Sequence, residues 1–136
     1  MNLDDVMDAV AAQLDTISGL RVFAFPPDSL SPPAAWIGYP EQYDYDATYG
    51  RGMDRISNLP LVVAVGKVSD RSARDLVGQY VNGSGAASVK AVLESGAYSA
   101  FHTLRVVSVN FDIITRGGTD YLAALFMLDI AGQGSA

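Results

Sequence analysis

The last third of the chain limits the fold more than any other part. Tyr121-Leu-Ala-Ala-Leu-Phe-Met-Leu-Asp-Ile130 is a run of ten residues with a single charge, about half the ~20 that a membrane-spanning helix requires. Read as a strand it is apolar on both faces, which places it at the centre of a sheet or against a partner. In the stretch before it, Val107, Val109, Phe111 and Ile113 alternate with Ser108, Asn110 and Asp112. That period predicts a second strand with one buried and one polar face. Gly117-Gly118 supplies a turn between them, so residues 104 to 115 and 120 to 131 read as one long hairpin.

The rest of the chain has to cover that hairpin. Leu3, Val6, Met7, Val10, Ala11, Leu14 and Ile17 recur at helical spacing, with Asp4, Asp5 and Asp8 where the helix dipole favours acids, so residues 2 to 17 form an amphipathic helix. Ser18-Gly19 ends it, and Leu20 to Phe25 reads as a strand. Pro26-Pro27 and Pro32-Pro33 bracket a loop, and Ala34 to Tyr39, with the only Trp, is a short strand. Leu59 to Val68 is a mostly apolar strand with Pro60 near its start. Ser69 or Asp70 caps a helix carrying Ala73, Leu76, Val77 and Tyr80, and Ala86 to Glu94 adds a shorter one beyond Asn82-Gly-Ser-Gly85. With 136 residues, 49% of them hydrophobic, the chain is expected to form one domain, residues 1 to 136. The expected class is α+β: a mainly antiparallel sheet of four to five strands with the N-terminal and central helices packed on it.

One segment is not explained by folding needs. Between Glu41 and Arg55, fifteen positions hold three tyrosines, four acids and two arginines without a hydrophobic period. Tyr43, Tyr45 and Tyr49 offer flat apolar area with a polar tip, and Arg51 and Arg55 offer planar forks for carboxylates. Asp44, Asp46 and Asp54 supply charge for partner arginines or for an acidic bore. Residues of these types favour protein interfaces. The alternative is a twisted hairpin arm whose tyrosines cover a sheet edge.

Chemistry is hard to assemble from what remains. The net charge is −6, from thirteen Asp and two Glu against seven Arg and two Lys, which argues against a surface that grips nucleic acid. A like-charged wall can still surround a sliding duplex. Without cysteine there is no disulfide framework or thiolate metal site. The acidic start of the chain is unlike a signal peptide, so a soluble protein without membrane contact is expected. Asn82 to Lys90 imitates a phosphate loop, but Lys90 follows valine and lies a turn inside the helix, off the required spacing. His102 is the only histidine, and a structural role is expected for it. Asp44, Asp46 and Asp54 can be imagined around a hard cation, yet no calcium-loop pattern follows them. Arg71 and Arg74 with Asp70 and Asp75 read as an exposed helical face or as partners of a neighbouring subunit. No enzyme, cofactor or metal is expected. A ligand-binding module with Trp36, Tyr39 and Tyr98 lining a pocket is a separate reading.

The element order, and the wording of several stretches, resembles the tail terminator proteins of long-tailed phages, in the version found in phages of actinobacteria. The stretches are Val22-Phe-Ala-Phe-Pro-Pro-Asp28, Pro33-Ala-Ala-Trp-Ile-Gly-Tyr-Pro40, Tyr45-Asp-Ala-Thr-Tyr-Gly-Arg-Gly-Met-Asp54, Gly66-Lys-Val-Ser-Asp-Arg71, Gly83-Ser-Gly-Ala-Ala-Ser-Val-Lys-Ala-Val92 and Asp120 to Gly132. The resemblance implies a virion subunit that forms a ring, a hexamer, on the head-proximal end of the tail tube. Such a ring stops tube growth and offers the surface that joins the head. The implied partners are other copies of the chain, the tail-tube protein, the head-tail connector, and phage DNA passing through without sequence-specific binding. A connector or tail-tube subunit would share the small build and ring symmetry, and a tube subunit would polymerise alone.

Overall fold

The computed structural model describes residues 1–23, 33–45, 52–69, 71–116 and 118–133. Helix α1 (Leu3–Leu14) is followed by strands β1 (Arg21–Phe23), β2 (Ala34–Ile37), β3 (Gln42–Asp44) and β4 (Met53–Lys67). Helices α2 (Arg71–Val81) and α3 (Val89–Glu94) then lead to the hairpin of β5 (Thr103–Arg116) and β6 (Thr119–Gln133). The α+β class is as expected, with six strands in the order β1-β2-β4-β6-β5 and β3 paired to β4. Only β1 and β2 run parallel; the remaining pairs are antiparallel. β3 is three residues long, too short to leave a period in the sequence.

The helices start where local chemistry directs. The Asn2 side chain accepts the Asp5 amide at 3.1 Å, and Asp4 and Asp5 occupy the first turn of α1, satisfying orphan amides and the helix dipole together. Val6, Met7, Val10 and Leu14 then form the buried stripe. Ser88 caps α3 by accepting the Ala91 amide at 3.1 Å. Helix α2 lies close to β4, because a Cβ on Gly66 would stand 3.2 Å from that of Ala73.

All three helices cover one face of the sheet. Their buried side chains join Ile37, Ile56, Leu61, Val63, Phe126, Leu128 and Ile130 in one core. β6 runs between β4 and β5, which accounts for its two apolar faces. On the face away from that core, Ala34, Trp36, Ala64 and Ala123 are also buried. Register keeps them together, since Ala34 pairs with Ala64, Trp36 with Val62 and Ala64 with Ala123.

Two strand expectations need correction. β4 begins at Met53 and not at Leu59, so Pro60 lies in mid-strand. It is tolerated there because it falls between the stretch paired with β3, Arg55 to Ser57, and the stretch paired with β2, Leu61 to Ala64. At that gap a missing donor costs no ladder bond, while the Pro60 carbonyl still accepts the Gly38 amide at 2.9 Å. The strand bends through a register shift between Ile56 and Leu59, where Asn58 adopts φ 54°. In β5 the expected alternation of Val107, Val109, Phe111 and Ile113 is broken by a bulge between Val106 and Ser108. Val106 is buried, whereas Val107, Phe111 and Ile113 are 45%, 58% and 54% exposed.

Candidate interaction surface

Strand alternation divides the tyrosine segment between two faces. Tyr43 stands in register with Ile56, which points it to the helix side. Its hydroxyl lies 2.8 Å from both the Asp54 Oδ2 and the Met1 carbonyl. Asp54 is 5% exposed and stands opposite Gly132, whose missing side chain leaves room for Met1. The Met1 amino group donates to the Gln133 carbonyl at 2.7 Å and sits 3.8 Å from Asp54 Oδ2. Burial first, and the Asp54 carboxylate second, push the Tyr43 hydroxyl up to about 12. Tyr43 and Asp54, expected at a contact with a neighbour, are thus engaged within the chain.

The outer face carries Asp44 and Arg55. Asp44 stands in register with Arg55, and Arg55 Nη2 reaches Asp129 Oδ2 at 3.0 Å. Asp129 stands in register with Arg105. Acid, base, acid and base therefore succeed one another across β3, β4, β6 and β5, ending on Asp44 at one edge and Arg105 at the other. Asp44 Oδ1 also accepts from the side-chain Nε2 of Gln42 at 2.5 Å. Tyr45 is 76% exposed, with its ring 4.9 Å from that of Tyr43. Asp46, Tyr49 and Arg51, with Asp70, lie outside the described residues.

Among the described residues, β5 carries an exposed apolar edge that the strand period alone does not reveal. β5 is a terminal strand of fourteen residues, and its outer side is free of any described strand. Glu94 approaches that side from α3: its Oε2 accepts the Val106 amide at 3.0 Å, and both carboxylate oxygens are held by Lys90 Nζ at 2.7 and 2.8 Å. Burial by itself would raise the Glu94 carboxyl. The hydrogen bonds from Lys90 and Val106 and the nearby positive charges of Lys90 and Arg105 outweigh it and hold the group below its usual value. Beside this plug lies a groove of about 300 Å³ lined by Val81, Lys90, Arg105, Val107, Val109 and Phe126. The i,i+4 spacing of Lys90 and Glu94 was the available signal, but nothing local tied it to residue 106.

Other candidates do not converge. Tyr98 stacks on Phe101 at 4.3 Å and donates to the Leu93 carbonyl at 2.5 Å. The cavity of about 570 Å³ beside it is lined by Met1, Tyr98, Ser99, Ala100, Phe101, His102 and Gln133, without Trp36 or Tyr39. Trp36 is buried on the sheet's other face and Tyr39 is 79% exposed, so the three aromatics expected to line one pocket are dispersed by strand alternation and chain position. His102 donates its backbone amide to the Ala131 carbonyl at 2.9 Å. The glycine connection after α2 closes on itself, because Asn82 Oδ1 accepts the Ser84 amide at 3.3 Å and the Ser88 hydroxyl donates to the Asn82 carbonyl. Among the described residues no three His, Asp or Glu side chains gather as a metal site, and no helix is long and apolar enough to cross a membrane. Neither a protein-family model nor a curated protein sequence matches the chain.

Proposed function

We infer that this chain is a structural virion subunit: a tail terminator that closes as a ring on the head-proximal end of a phage tail tube. The ring ends tube growth and presents the surface for head joining. The resemblance of the six sequence stretches supports the reading. The structural observation that carries it furthest is the pair of strand edges, β3 and β5, that no other described strand covers, on opposite sides of one sheet with opposite charges at their ends. Two unlike edges associate head to tail, and a head-to-tail contact closes into a ring when its rotation permits. The acidic balance of the chain suits a passage for DNA that does not hold it.

Mixing the purified protein with tail tubes tests the reading. Rings at one tube end in negative-stain images, together with arrest of tube elongation, are the expected result. Unaided growth of the protein into long tubes would mark it as a tube subunit, and tubes that elongate as before would exclude the terminator role.

A further inference from the structure

The free edge of β5 is not uniformly open. The Val106 amide turns away from β6 to Glu94. Counting through the bulge, the amides of Val109, Phe111 and Ile113 face the same way. That of Ile113 is taken by the Asp112 side chain at 2.8 Å. Two carboxylates therefore plug the edge at Val106 and Ile113 and leave Val109 and Phe111 open between them. Carboxylates at these points discourage indiscriminate strand pairing, so what remains is a short, framed docking strip.

We propose that β3 of a second copy adds antiparallel to this strip, from Val107 to Phe111, and that this contact joins neighbouring subunits. The inference rests on the ring reading above and names the surfaces that would close it. Three observations select the occupant. First, β3 is itself an edge strand, of three residues, short enough to fit within the opening between the plugs. Second, strand direction alternates through β3, β4, β6 and β5, so the next copy's β3 continues the alternation when all copies share one orientation about a ring axis. Third, the charge row ends on Asp44 at one edge and Arg105 at the other, so joining the edges extends it without a like-charge step. In the antiparallel direction Asp44 falls at the Arg105 end, and Tyr45 falls toward the groove bounded by Val81 and Lys90. Tyr39, 79% exposed and three residues before β3, falls toward Phe111 and Ile113. The competing arrangement pairs β5 with β5 about a two-fold axis. Centred on the strip, it sets the Glu94 plug of one copy against Asp112 of the other, a repulsive match.

The chain has no cysteine, so single cysteines can be placed at will. Tyr39→Cys chains and Phe111→Cys chains, mixed and treated with a short bismaleimide, should cross-link to each other and not to themselves. Native mass spectrometry of charge variants gives the second arm. Asp44→Arg and Arg105→Glu should each weaken association about fivefold, the size of an exposed pair, and the double variant should recover it. Phe111-to-Phe111 cross-links, or association indifferent to both charges, would overturn the contact while leaving a ring reading standing. Correct cross-links without arrest of tube growth would keep the contact and remove the terminator role. A wild-type chain that stays monomeric alone and with tubes would overturn both.

Discussion

The carboxylate of Glu94, on α3, accepts the Val106 amide of β5 across 3.0 Å while Lys90 holds both of its oxygens. One side chain thus fastens the helical layer to the sheet edge at the bulge. Its carboxyl is held below the ordinary value, so the ionised form contributes stability above that value, and the contribution is lost as pH falls through the folded one. Urea midpoints measured on acidification below 4.5, the ordinary glutamate value, should fall more for the wild type than for Glu94→Gln. Glu94→Ala at neutral pH should cost about 1 kcal/mol, through the unpaired amide, and should increase self-association by unplugging the edge.

Alkaline titration tests the buried tyrosines. Tyr43 is pushed up to about 12 by burial and by Asp54, and Tyr98 to about 12 by burial. Phenolate absorbance should therefore include a late stage, from Tyr43 and Tyr98, that coincides with unfolding. The sign follows from proton counting: between 10 and about 12 the folded chain retains protons that the unfolded chain releases. Stability should hold below 10 and decline above it. A single-stage titration with constant stability would contradict the Tyr43–Asp54 geometry.

Asn58, at φ 54°, sits in the register shift of β4, donates to Glu41 Oε2 at 2.6 Å and accepts the Glu41 amide at 3.3 Å through its carbonyl. Asn tolerates this backbone region and a β-branched residue does not. Asn58→Val should cost about 1–3 kcal/mol in urea denaturation, whereas Asn58→Gly should stay within about 1 kcal/mol of the wild type, having lost only an exposed side-chain bond.

The hairpin and the helices were legible because long periods average over many residues: β6 is apolar on both faces and is central, and α1 carries its stripe. The segment from 41 to 55 was not, because its meaning depends on partners distant in sequence. Tyr43 and Asp54 are eleven positions apart and join only through the β3–β4 register and the approach of Met1. Glu94 and Val106 meet through the packing of α3 on β5. Phe111 and Ile113 followed the strand period correctly yet remain exposed, because alternation specifies a face and says nothing of how far the helices extend over it.

That division within the tyrosine segment yields a final test. Tyr43 and Tyr45 differ by two positions, so both point to the same face, but Tyr43 is hydrogen-bonded within the chain and Tyr45 is 76% exposed. Tyr43→Phe removes a donor from buried Asp54 and should cost about 1 kcal/mol of stability while leaving self-association unchanged. Tyr45→Ala should leave stability within about 0.5 kcal/mol and weaken association, because an aromatic ring lost from an interface removes affinity without touching the core. Arg55→Ala should do little to either, since its pair with Asp129 is half-exposed and such pairs contribute under about 1 kcal/mol. Thermal melts read against native mass spectra separate the three. If Tyr45→Ala associates like the wild type, its ring does not lie in the groove beside Lys90, and the antiparallel direction of β3 addition fails with it.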